Sequence, residues 1–309
     1  MAKSWILGLG VVVIVLGVAY SIRNQISGLD NPILSSKKPI IWWVVDDSQL
    51  NARQWLDWGN RGTHEPNEPY LKICMKRAHT KLARDDYELK PVIGRVAAHQ
   101  RLEAAGCVIP PDADRSPPFL WLAWCRAAFL AHLGGLWVDG SVLPTGKASL
   151  STRLAGKDIL TFGIDPDEGL TEEKVTPMAG PSAGWSAVPH HPVWKGLERD
   201  IRALITAGDQ SWSAGECRRS LRYAWDRHAA GSVQIDRAAE VSRDQYGKRL
   251  ELETLLAETE WGGSTKDSLW LPLPDGRDKL ERATPFLWFL RMSEEQIRES
   301  KFFWAKVAR

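Results

Sequence analysis

Asp139 and Arg126 are two ionisable side chains set in otherwise apolar sequence, near the two ends of Arg126-Ala-Ala-Phe-Leu-Ala-His-Leu-Gly-Gly-Leu-Trp-Val-Asp-Gly-Ser141. The run reads as an apolar helix, a double glycine, a three-residue apolar strand and a lone carboxylate, which delivers Asp139 to the end of a buried strand. From Pro117 through Val138, Arg126 is the only formally charged side chain. Leaving it unpaired in an apolar layer costs several kcal/mol, so it needs an anion: the diphosphate of a ligand or a nearby carboxylate. Asp139 followed by Gly140 also fits a turn that closes a strand on any fold. Gly134-Gly135 fits a helix C-cap with or without a ligand.

The elements around this run are those of an α/β protein. Pro39-Ile-Ile-Trp-Trp-Val-Val45 is continuously apolar, as a strand buried on both faces of a parallel sheet must be, and it ends in Asp46-Asp47. Ligands in open α/β sheets bind beyond the carboxyl ends of the strands. Asp46, Asp47 and Ser48 therefore face a ligand there, or cap a helix from Gln49 onward. Apolar groups at Leu71, Cys74, Met75, Ala78 and Leu82 predict a helix over 70–82, and Tyr87–Ile93 reads as a second strand whose Pro91 favours an edge. A helix over 119–133 places Trp121, Trp124, Cys125, Ala128 and Phe129 on one arc and Arg126 off it, at the helix margin.

Strands are expected at 157–163 and within 178–188, where small residues admit close approach of a ligand or another backbone. His190-His191-Pro192 follows, read as a plain turn or as a further ligand or phosphate contact, and then a helix with Leu197, Ile201, Leu204 and Ile205 on one face. Beyond 210 the signal thins. A helix over 212–228 carries Arg218, Arg219, Arg222 and Arg227, as a solvated face or a hold on an acidic acceptor, and Ser293–Gln296 is a capping box.

At 309 residues and 44% hydrophobic content the chain is able to bury a sizeable core as one large domain. A net charge of +2 leaves no nucleic-acid footprint. With sixteen Trp against five Tyr, the tryptophans divide by context. Trp42, Trp43, Trp121, Trp124 and Trp137 lie in apolar runs and read as core, whereas Trp55, Trp58 and Trp185 sit among polar or small residues and are placed to stack on a sugar or a base. Cys74, Cys107, Cys125 and Cys217 lack metal-type spacing, and one or two disulfides remain open.

Trp5–Tyr20 runs sixteen residues without a charge. As helix that is about 24 Å, which fits an anchor in a thin bilayer or a cleaved signal peptide. On the anchor reading, residues 1–22 are a signal anchor, 23–37 a stem linker and 38–309 the folded domain. The chain is then a single-pass membrane protein, of the Golgi or secretory lumen in a eukaryote and of the inner membrane in a bacterium.

The 126–141 run resembles the sugar-transferase domain shared by family 32 glycosyltransferases and the capsular polysaccharide synthesis proteins. In those families an Arg lies eight residues before Gly-Gly, which leads through an apolar pair or triplet to Asp-x-Asp or Asp-x-Thr. Here Arg126 stands eight residues before Gly134, and Asp139-Gly140-Ser141 occupies the acidic motif. Ser141 takes the place of the second acid, as a hydroxyl does in the capsular branch, and Ala123 stands where the family usually carries an acid. The opening strand at 39–45 and the small-residue strand with its His-Pro turn are similar too, so the resemblance covers about residues 38–210.

The resemblance implies an α/β fold: a GT-A-like, Rossmann-type mixed sheet flanked by helices, behind an N-terminal transmembrane helix. It implies a glycosyltransferase of retaining type that moves a sugar from a nucleotide-sugar donor to a glycan or other hydroxyl acceptor, with Mn²⁺ or Mg²⁺ as cofactor. Asp139 and Arg126 are then catalytic, and Asp139 and Ser141 hold the metal. Asp46, Asp47, Ser48, Gly134, Gly135, Ser141 and Trp185 bind the donor. A catalytically degenerate relative that binds nucleotide or glycan is the alternative, with a membrane-anchored scaffold behind it.

Overall fold

An unbroken run of β-branched and aromatic side chains, Ile40–Val45, makes the strand β1, and its complete burial requires cover on both faces of the sheet. The computed structural model describes residues 38–46, 68–82, 87–146, 149–162, 183–207, 214–229, 232–236, 250, 252–258, 268–271, 273 and 287–309. Residues 38–309 cluster as one unit. After β1 come α1 (Pro69–Arg77), β2 (Glu88–Ile93), α2 (Arg95–Ala104), α3 (Pro118–His132), β3 (Gly135–Asp139), β4 (Leu143–Pro144) and α4 (Leu150–Leu154). Then follow β5 (Ile159–Phe162), β6 (Ala183–Ser186), α5 (Pro192–Thr206), α6 (Ala214–His228), β7 (Gln234–Asp236), β8 (Trp270–Leu271) and short helices that reach the C-terminus.

The main sheet has six strands in the order β2-β1-β3-β6-β5-β7. β1 runs parallel to both β2 and β3, β6 is antiparallel to its neighbours β3 and β5, and β5 is parallel to β7. The mixed α/β sheet expected from the sequence is therefore present. β2 stands at the sheet edge, where the missing N–H of Pro91 costs no ladder bond.

Period-2 alternation divides the two faces. Ile41, Trp43, Val45, Leu136 and Val138 pack with Tyr70, Ile73 and Cys74 of α1 and with the C-terminal residues Phe289, Phe303 and Trp304. On the other face Trp42 and Trp137 meet Phe129 of α3 edge-on, with ring centroids 5.3 and 5.4 Å apart. Gly184 of β6 lies so close to Leu130 of α3 and Trp194 of α5 that a Cβ there would fall 2.8 and 3.2 Å from them. The five tryptophans read as core are all buried.

Several local expectations are refined. The helix expected over 70–82 is α1 followed by a π-helical turn, Ala78–Leu82. α2 escaped the sequence pattern because only Ala98 and Leu102 are buried apolar groups within it. α3 is enclosed on nearly every side, Arg126 included, so Arg126 does not take the margin position expected of it. Ser293 and Gln296 form the reciprocal capping box. Cys74, Cys107 and Cys125 are buried free thiols. The side chain of Cys217, with Trp55, Trp58, Asp47, Ser48, the 1–22 segment and the 23–37 stem, lies outside the described residues. Among the described residues no helix is long and apolar enough to cross a membrane.

Candidate functional site

β2 lies on one side of β1 and β3 on the other, so the strand order reverses between β1 and β3. Open α/β sheets form their ligand crevice at such a reversal, beyond the carboxyl ends of the strands. Two acids stand there. Asp139 is the last residue of β3, opposite Val44, and Asp46 immediately follows β1.

The turn after β3 is built around Gly140. Its N–H donates to Val44 O at 2.8 Å, and a Cβ would fall 2.3 Å from Val45 Cγ2 and 2.9 Å from Val44 O. Glycine is thus required for the chain to leave the sheet against β1. Asp139 Oδ1 then accepts from the N–H of Ser141 at 2.9 Å and from its hydroxyl at 2.8 Å. Asp139 does shape a turn, and both of these bonds fall on one of its two carboxylate oxygens.

Arg126 of α3 is near enough to this acid for their charges to interact. Burial pushes its guanidinium down to about 10, while the negative charge of Asp139 acts in the opposite sense. Burial likewise raises the Asp139 carboxyl, against the two Ser141 hydrogen bonds and the Arg126 charge, and the negative charge of Asp46 adds to the rise. The Asp139 carboxylate thus lies within electrostatic range of the buried Arg126 charge.

Asp46 has a different assignment. Arg95, the first residue of α2, donates to Asp46 Oδ1 at 3.0 Å and to Oδ2 at 2.9 Å, with both side chains buried. The remaining guanidinium nitrogen donates to the carbonyls of Ala113, Asp114 and Ser116 at 2.9 to 3.0 Å, and Trp121 stacks beneath it. Asp46 therefore anchors the connection between α2 and α3. Arg95 was missed from sequence. A lone Arg directly after a strand and Gly94 was the available signal, because that position places it at the carboxyl edge of the sheet.

Gly134, Gly135 and Trp185 lie elsewhere. The two glycines open β3, at the strand end away from Asp139, with φ of +65° and +86°. Gly134 N–H donates to Phe129 O at 3.1 Å, its carbonyl accepts from Trp42 Nε1 at 2.8 Å, and a Cβ on Gly135 would lie 2.5 Å from Ile40 O. Helix termination and backbone contact account for both glycines. Trp185 pairs with Leu136 near the same end, its ring is buried in the core, and its indole N–H donates to Lys157 O at 2.8 Å. None of the three joins the Asp139 cluster. His191 Nδ1 accepts from Val193 N–H at 3.3 Å as the cap of α5, so it belongs to the turn. Arg222 and Arg227 pair with Asp226 and Asp200 on exposed surface.

Two donor sets of different chemistry are present. Asp139 and Ser141 offer hard oxygens, suited to Mg²⁺ or Mn²⁺ when phosphate oxygens and water complete the shell. Cys107, His132 and Glu198 offer sulfur, nitrogen and oxygen, all within 4.8 Å of one another. No protein-family profile, curated protein or solved structure matches this chain.

Proposed function

We propose that this chain is a metal-assisted glycosyltransferase of GT-A-like architecture, moving a sugar from a nucleoside diphosphate to a hydroxyl of a glycan or other acceptor. The observation that carries the reading is the Asp139–Ser141 turn at the reversal between β1 and β3, with Arg126 buried in α3 within electrostatic range of its carboxylate. Transfer of a sugar leaves negative charge on the departing diphosphate, and a site that carries out this step must neutralise it.

In this reading Arg126 contributes fixed positive charge beside the diphosphate, and its guanidinium fork suits phosphate oxygens. Asp139, ionised, and Ser141 hold a Mn²⁺ or Mg²⁺ ion. The ion supplies Lewis-acid neutralisation of the leaving group when bound. Gly140 holds the turn close against β1, and the Asp46–Arg95 pair fixes the neighbouring wall. The acceptor belongs on the open side of the turn, and the N-terminal apolar run would tether the domain to a membrane.

One observation favours a second reading, a non-catalytic nucleotide- or glycan-binding relative: Arg95 occupies both oxygens of Asp46, so Asp139 stands as the one carboxylate of this cluster outside an ion pair with Arg95. Incubating the purified chain with a panel of nucleotide sugars, with and without Mn²⁺, separates the two. Release of nucleoside diphosphate that depends on Mn²⁺ and is lost in Asp139→Asn supports the transferase. Thermal protection by nucleotides without turnover selects the binding relative.

A further inference from the structure

Cys107 follows α2 after Gly106, which takes a φ of +78°, and it is buried. His132 is the last residue of α3, just before the glycines that open β3. Glu198 projects from the middle of α5 and is buried as well. Their spacings in sequence carry no metal signature; the turn after α2, the end of α3 and the middle of α5 come together only in the folded chain. The ligand atoms lie within 4.8 Å of one another. Around a tetrahedral zinc ion they would stand roughly 3.3–3.8 Å apart, given bonds of about 2.0–2.3 Å. Side-chain torsions cover that difference.

The charges around this group point the same way. A buried glutamate requires a cation, and here Arg202, one helical turn along α5, donates to Glu198 Oε1 and also to Cys107 Sγ at 3.6 Å. The fit of Arg202 is poor, because its Nε is buried with no acceptor. Its side chain is 30% exposed, against 8% for Glu198, so it has a path to solvent that the glutamate lacks. Outer-shell support is also present. Trp124 Nε1 donates to Glu198 Oε1 at 3.4 Å.

We infer that Cys107, His132 and Glu198 bind a divalent cation of the zinc class, with solvent at the fourth position and Arg202 as the cation that it displaces. Thiolate, imidazole and carboxylate together select such an ion over Mg²⁺ or Mn²⁺. The ion staples the α2–α3 connection and the end of α3 to α5, apart from the Asp139 cluster and independent of the transferase reading.

The test uses the full-length chain freed of metal by chelation and titrated with Co²⁺ as a spectroscopic probe, then with Zn²⁺ as competitor. About one equivalent of Co²⁺ is expected to bind with a near-ultraviolet thiolate-to-cobalt absorption and to be displaced by about one equivalent of Zn²⁺. Asp139→Asn should leave the thiolate-to-cobalt absorption and its displacement by Zn²⁺ unchanged, since that acid is no part of this group. Cys107→Ser should lose the absorption and weaken Zn²⁺ binding by at least about tenfold. Arg202→Ala should tighten Zn²⁺ binding, because it removes the competing cation. The inference is overturned if the folded parent shows no thiolate absorption, if the absorption survives Cys107→Ser, or if Arg202→Ala weakens binding.

Discussion

Arg95 grips both carboxylate oxygens of Asp46 across 49 residues of sequence, at 3.0 and 2.9 Å, with both side chains sealed from solvent. The pair joins the end of β1 to the start of α2, and through three carbonyls it holds the turn that leads into α3. Breaking one side of such a buried pair leaves an uncompensated charge. Asp46→Ala is therefore expected to lower stability by about 3–5 kcal/mol in urea denaturation. The double replacement Asp46→Leu with Arg95→Met should be much less damaging. If Asp46→Ala instead weakens nucleotide binding with no change in stability, Asp46 is a ligand contact after all.

For Asp139 the expected loss is kinetic. Asp139→Asn preserves the turn, since an amide oxygen still accepts from Ser141, but it removes the charge that holds the ion. Turnover should fall on the order of 10²-fold, equivalent to about 3 kcal/mol of barrier. Ser141→Ala is expected to be milder because water takes its coordination position. Arg126→Lys should raise the Kd for the nucleotide donor, an ammonium being unable to reproduce the guanidinium fork. Unchanged Mn²⁺-dependent donor binding and turnover in Asp139→Asn would reduce this acid to a turn residue.

The pH dependence follows from the same acid. Burial raises the folded-state carboxyl of Asp139, so its proton is held more tightly in the folded chain than in the unfolded one. With no ion bound, this group favours folding most below the ordinary carboxylate range, and that advantage is lost as pH rises through the folded value. Cation binding has the opposite sign, because it needs the ionised form. Mn²⁺ affinity, followed by electron paramagnetic resonance of the free ion, should therefore decline with acidification at a pH above the ordinary Asp value of about 3.9. An acid limb at or below that value contradicts the burial argument.

Gly135→Ala tests the assignment of the double glycine to the scaffold. With φ at +86° and the new Cβ 2.5 Å from Ile40 O, alanine should cost about 2 kcal/mol or more. Gly106→Ala, at φ +78° with open space around it, should cost about 1 kcal/mol. Activity per folded molecule should be unchanged in Gly135→Ala, since this residue opens β3 and Asp139 closes it. A specific loss of donor affinity would return Gly135 to the binding site.

What the sequence determined by itself was local. An unbroken apolar run can only be a covered strand, which identified β1. An apolar stretch of helical length ending in two glycines identified α3, and Pro91 placed β2 at an edge because it lacks a donor for the ladder. The capping box at Ser293 was readable because both bonds lie within one turn. The chemistry around Arg126 was legible in kind, since a lone buried charge demands an anion.

Which residues share a crevice was decided only by tertiary structure. Strand pairing set β1 beside β3 and so put Asp46 near Asp139, while helix docking gave Asp46 to Arg95 and turned Trp185 into the core. Cys107, His132 and Glu198 converge from three segments with no spacing to announce them. The physical reason is the same in each case. Backbone periodicity fixes which side of its own element a side chain occupies, but charge pairing and desolvation depend on distances between elements, and those are set by packing across the sheet.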